Sequence, residues 1–173
     1  MSLIAAGVAC GAVLVAGCSA GTVAGEAGAV NAGSGEPVFS PCDDIPDDTL
    51  RAIGVDPASE SMDILDVKQP GWTICQWTGT SYSVFVAATD RTVEEFHANP
   101  RNTDFASLTL GHREAFSYRE TTDTRHENCD VVMRSGDGAA MVRFSLDTGD
   151  PSGTNPCQAA VRTAIQLEPV IPQ

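Results

Sequence analysis

The sequence predicts an α+β domain in which an antiparallel β-sheet carries packed helices, in the order helix, two strands, helix, three strands, helix. Three observations lead there. Five segments rich in aromatic and β-branched residues alternate or run apolar between turn residues, and three others carry helix start or stop signals. The stretch from Val38 to Gln173 is about 135 residues, the size of one domain with one core.

The first helix falls over Asp47 to Gly54, where acids stand at the front, Leu50 and Ile53 lie three apart and Gly54 is a stop. Trp72 to Trp77 and Tyr82 to Thr89 then form a hairpin across Thr78-Gly79-Thr80-Ser81. Thr92-Val93-Glu94-Glu95 reads as a capping box opening a second helix that stops near Asn99-Pro100. Pro100 to Gly111 reads as a surface loop. Three strands follow, over His112 to Arg119, Cys129 to Arg134 and Ala139 to Leu146, the last two joined by Ser135-Gly136-Asp137-Gly138. In the final strand Ala140, Val142, Phe144 and Leu146 share one face and Met141, Arg143 and Ser145 the other, which predicts one packed and one wetter sheet face. Asn155 caps a last helix with Pro156 at its first position and Gln158 placed to complete the cap. Its expected buried stripe is Cys157, Val161, Ala164 and Ile165.

Ahead of the domain the chain divides twice. Residues 1–17 read as a signal peptide: Leu3 to Val15 is apolar but too short to span a bilayer as a helix. Val15-Ala16-Gly17-Cys18 resembles a lipobox, which implies a diacylglyceryl group on Cys18 and removal of everything before it. Two acyl chains anchor stably where one is marginal, so the expected location is extracytoplasmic, on the cell membrane. Residues 18–37 read as the lipidated cysteine and a Gly/Ala tether, whose coil reach is about 25 Å.

The formal charge of −13, from 23 acidic and 10 basic residues, disfavours a broad basic patch for nucleic acid or an anionic lipid surface. With Cys10 in the leader and Cys18 acylated, Cys42, Cys75, Cys129 and Cys157 remain, an even number in an exported chain. Three connectivities are open; the preferred one joins Cys42 to Cys75 and Cys129 to Cys157, tying a helical segment to a strand each time. A four-thiolate zinc site is the rival, without the close Cys-x-x-Cys spacing it favours.

Signals for chemistry are sparse. His97, His112 and His126 form no metal pair by spacing, and no Gly-x-Ser-x-Gly elbow or phosphate-binding loop occurs. The acids Asp43, Asp44, Asp47 and Asp48 suggest a cation, yet they suit a helix start better. Asp147 to Ser152 has a calcium-like run without the Gly and Glu placement of an EF-hand. Trp72, Trp77 and Tyr82 are candidates for an aromatic groove and equally for the hairpin core. No catalytic residue, metal ligand or cofactor is therefore assigned.

Pro41-Cys42-Asp43, Gly71-Trp72-Thr73-Ile74-Cys75-Gln76-Trp77, the lone Cys129 and Asn155-Pro156-Cys157 together resemble the actinobacterial lipoproteins carrying domain of unknown function 3558. The resemblance covers nearly the whole mature domain and implies an envelope location. The topology is also similar to the Mog1 and PsbP type of sandwich, which includes accessory and interaction proteins. The expected function is a membrane-anchored, non-catalytic module binding an envelope protein, a lipid or a cell-wall ligand. The alternatives are an envelope hydrolase using His112 or His126 with a carboxylate, and a purely structural surface protein.

Overall fold

The computed structural model describes residues 37–63 and 67–173; the expected signal peptide, Cys18 and the tether lie outside the described residues. Among the described residues seven strands form one sheet: β1 Asp56–Met62, β2 Trp72–Thr78, β3 Tyr82–Thr89, β4 Asn102–Leu110, β5 Arg113–Glu120, β6 Asn128–Ser135 and β7 Gly138–Leu146. Their spatial order is β1-β2-β3-β7-β6-β5-β4, and every neighbouring pair is antiparallel. The helices are α1 Pro41–Asp44, α2 Asp47–Ala52, α3 Val93–Ala98 and α4 Pro156–Leu167, the last followed by a 3₁₀ turn at Glu168–Val170. The fold is α+β, as the pattern predicts.

Two of these strands depart from the sequence reading, and both are edges. β4 occupies the segment expected to be a surface loop. Its alternation is interrupted by Asp104, whose φ of 55° accompanies a register shift between Thr103 and Ala106. Such a bulge breaks the period that marks a strand. β1 carries Pro57 and has its own register shift between Asp56 and Ser61. An edge strand tolerates both, since one of its sides needs no partner.

Each face of the sheet buries its own core. On one face α1, α2 and α4 pack over Trp77, Val84, Val86, Val131, Val142 and Phe144. On the other, Phe96 of α3 packs with Ile74, Phe116, Tyr118, Val132 and Met141. The face expected to be wetter is thus half covered, because Met141 and its row neighbours find a helix of their own. α4 also sits turned from its predicted stripe. Ala159, Ala160, Thr163, Ala164 and Leu167 are buried while Ile165 is 52% exposed. The three alanines let the helix approach the sheet closely, leaving the bulkier Ile165 on the flank.

Caps and crosslinks hold these elements. The Thr92 hydroxyl accepts from the Glu95 amide at 3.3 Å, and the Thr92 amide donates to the Glu95 carboxylate at 2.7 Å. Asn155 Oδ1 accepts from the amides of Cys157 and Gln158. Cys42 and Cys75 lie at disulfide distance, 2.17 Å, joining α1 to β2; Cys129 and Cys157, at 1.97 Å, join β6 to α4. Paired two by two, the four cysteines do not gather into a zinc site.

Candidate functional site

A cleft of 430 Å³ opens where the end of α2, the β2–β3 turn, the ends of β3 and β7 and one side of α4 converge. Antiparallel register creates its floor. Tyr82 stands opposite Leu146 and Val84 opposite Phe144, so Tyr82, Leu146 and Phe144 point to the same face. The rings of Tyr82 and Phe144 stack at 4.5 Å between centroids, 20° from parallel. Ile53 and Ala159 complete the apolar wall. The volume lies in the lower part of the roughly 300–1,000 Å³ range of small-molecule sites.

Tyr82 is fixed from two sides. Its hydroxyl reaches the carbonyl oxygens of Ile53 and Gly54 at 3.0 and 2.9 Å. A Cβ on Gly79 would meet its ring at 2.5 Å, and one on Gly54 would meet its hydroxyl at 2.5 Å. Both glycines therefore make room for the ring, and partial burial raises the phenol above its ordinary pKa.

The rim is polar. Asp150, Ser152 and Thr154 come from the β7–α4 loop, and Arg162, Thr163 and Gln166 from α4. Asp150 accepts from the Ser152 amide at 3.2 Å and from its hydroxyl, so its carboxylate is held within the loop. Arg162 is exposed at the same rim and, among the described residues, pairs with no carboxylate. Most other arginines do pair: Arg51 with Asp47 and Asp48, Arg91 with Glu95, Arg113 with Glu168, Arg119 with Asp123, Arg125 with Glu127, Arg134 with Glu94, and Arg143 with Asp130 and Glu120.

A second polar feature lies on the opposite sheet face. Tyr118, Asp130, Arg143 and Phe85 form one cross-strand row. Arg143 Nε donates to Asp130 at 2.7 Å, its Nη2 donates to Glu120 at 2.7 Å, and its guanidinium carbon lies 5.9 Å from the Phe85 ring centre. Burial pushes the Asp130 carboxyl up to about 6 against the pull of Arg143. Burial also works against the Arg143 charge, but Asp130 and Glu120 outweigh it and hold the guanidinium protonated. Burial, with Asp130 beside it, raises the Tyr118 phenol above its usual value. Arg143 borders a smaller polar hollow of 280 Å³ around Thr122, Asp123 and Glu127.

The sequence candidates distribute unevenly. Of the three aromatics, Tyr82 lines the cleft; Trp77 is fully buried, and Trp72 packs edge-on against Phe96. The acidic cluster is occupied by its neighbours: Ser40 bonds Asp43 and Asp44, and Arg51 pairs with Asp47 and Asp48. His97 stacks on Phe105 at 4.5 Å and lies tilted against Phe116 at 4.1 Å between ring centres. His112 and His126 are exposed. Among the described residues no hydrogen bond joins either to a carboxylate. Arg162 was not singled out in sequence, since the arginine that lines the rim stands about eighty residues from the tyrosine that lines the floor.

The fold and cleft define a class first: an α+β domain on a single antiparallel sheet, with two cysteine pairs and an amphipathic hollow at one end of the helix-bearing face. The chain belongs to the family of proteins of unknown function DUF3558, whose model matches residues 13–169. Neither a curated protein nor a solved structure matches it.

Proposed function

We propose that this chain is a lipid-anchored domain on the outer side of the cell membrane, acting without catalysis as a binding module whose cleft takes a small, partly apolar ligand. The observation that carries the ligand is the stacked Tyr82–Phe144 floor beneath a polar rim. The location is supported by two cysteine pairs at disulfide distance, which suit an oxidising compartment, and by the apolar segment ending at Cys18. Among the described residues no helix is long and apolar enough to cross a membrane, and the anchor proposed is the lipid on Cys18. The −13 charge argues against nucleic acid as the partner. A hydrolase reading would need His112 or His126 aligned by a carboxylate, and that geometry does not support it.

Two measurements test the proposal. The intact mass of protein extracted from membranes should carry a diacylglyceryl adduct that Cys18→Ala abolishes; unacylated chain recovered from the cytosol overturns the anchor. Phenylnaphthylamine should gain fluorescence on the wild type and lose it on Ala52→Trp, which narrows the cleft from an exposed helix position. Equal fluorescence on both overturns the cleft as the binding site.

A further inference from the structure

We infer that the ligand of this cleft is an anionic amphiphile of a single chain, with its carboxylate or phosphate head on Arg162 and its apolar body over Tyr82, Phe144 and Leu146. This rests on the cleft being the binding site. Two observations carry it, together with the donor geometry of a guanidinium. Most arginines of this acidic chain have a carboxylate partner, whereas Arg162 has none among the described residues and stands at the cleft rim. A guanidinium offers a planar fork of donors that matches a carboxylate or phosphate, and its weak hydration suits a site beside apolar surface. The other charged group at the rim, the Asp150 carboxylate, accepts from the amide and hydroxyl of Ser152 in its own loop, so Arg162 is the charged donor left open to a ligand at the mouth. A neutral chain would satisfy the floor and leave Arg162 idle; a cationic one would place like charges together.

The size of the cleft sets a further limit. At 430 Å³ it is closer to the lower than the upper bound of small-molecule sites, which suits one chain rather than two. The protein's own two acyl chains on Cys18 are therefore not the occupant proposed.

The test uses the full chain carrying Cys18→Ala, so that no acyl group of its own competes, and follows displacement of phenylnaphthylamine. The competitors are decanoate, decyl phosphate, decanol and decyltrimethylammonium, all below their micellar range. Decanoate and decyl phosphate should displace the probe at concentrations about tenfold lower than decanol, and decyltrimethylammonium should be the weakest. Arg162→Gln should bring the ratio of decanoate to decanol within about twofold, and added salt should do the same on the wild type in a graded way. Decanol competing as well as decanoate on the wild type, with Ala52→Trp still blocking the probe, overturns the anionic ligand and leaves the cleft reading intact. Probe binding that survives Ala52→Trp and Thr80→Trp, each with an unchanged melting temperature, overturns the cleft reading itself. Preference for decyl phosphate over decanoate, or the reverse, separates a phosphate-bearing source from a free acid, and both outcomes support the guanidinium as the reader.

Discussion

Asp130 on β6 stands directly opposite Arg143 on β7, and the two meet at 2.7 Å with the carboxylate only 1% exposed. A charged pair in this position is costly to desolvate, and the guanidinium also reaches Glu120 at the solvent side. The carboxyl consequently keeps its proton to a higher pH in the folded state, about 6, than its ordinary 3.8. Folding takes up a proton between those values. The associated stabilisation is complete below about pH 4 and is lost as pH rises through about 6.

Asp130→Asn should remove that dependence. Urea unfolding at pH 4 to 7 should show the wild type losing up to about 3 kcal/mol relative to the variant as pH rises across the window. A constant difference between the two would refute the assignment. Arg143→Ala should behave in the opposite sense: at pH 7 it strands a buried carboxylate and costs about 3 kcal/mol, and at pH 5 the carboxyl protonates and the loss shrinks.

Gly79→Ala should expel the Tyr82 ring from its seat, because the new methyl would lie 2.5 Å from it. Overpacking of this kind costs about 1–3 kcal/mol, and here it also removes half of the stacked floor, so probe fluorescence in the cleft should fall together with the melting temperature. Tyr82→Phe separates the two effects. It keeps the stack on Phe144 and loses only the hydroxyl contacts to Ile53 and Gly54, so binding should persist while stability drops by about 1 kcal/mol.

These residues also mark where the sequence is readable and where it is not. Elements that carry their own local signal stand out: the Thr92 capping box, the Asn155-Pro156 start and the strict alternation of β7 each depend on neighbours within a few positions. β1 and β4 do not, because a proline and a left-handed aspartate interrupt their period, and edge pairing, not local preference, keeps them extended. Asp130 is equally silent. Between Cys129 and Val131 it reads as one polar residue in a strand, and its meaning comes from Arg143, thirteen residues on and opposite only once β6 and β7 are paired. The cleft has the same character, for Ile53, Tyr82, Phe144 and Arg162 meet only after four elements have assembled.

The two cysteine pairs should contribute separately to stability. Bridges separated by 33 and 28 residues each restrict the unfolded chain by about 3.5 kcal/mol in the chain-entropy description. Cys42→Ser with Cys75→Ser, and Cys129→Ser with Cys157→Ser, should each lower the urea midpoint. Alkylation of protein purified from the envelope without reductant should label none of the four. Labelling of all four would show that the native state does without the bridges.

Arg113 supplies the last test, because it closes the domain from the end away from the cleft. Its buried side chain donates from Nη1 to the carbonyl oxygens of Arg134 and Pro172, both at 3.1 Å, and from Nη2 to Ile171 at 2.9 Å, with Glu168 3.4 Å from Nε. One planar fork thus ties β6 and the C-terminal segment to β5. Lysine carries the same charge on a point donor and cannot span three carbonyls, so Arg113→Lys should lose about 2 kcal/mol while Arg113→Met, which leaves Glu168 without its cation as well, should lose more. Amide exchange should rise first around Ile171, whose side chain is buried beside Leu167 in the α4 core. If Arg113→Lys matched the wild type in both stability and exchange, the charge alone would be holding the segment and the hydrogen-bond fork would be dispensable.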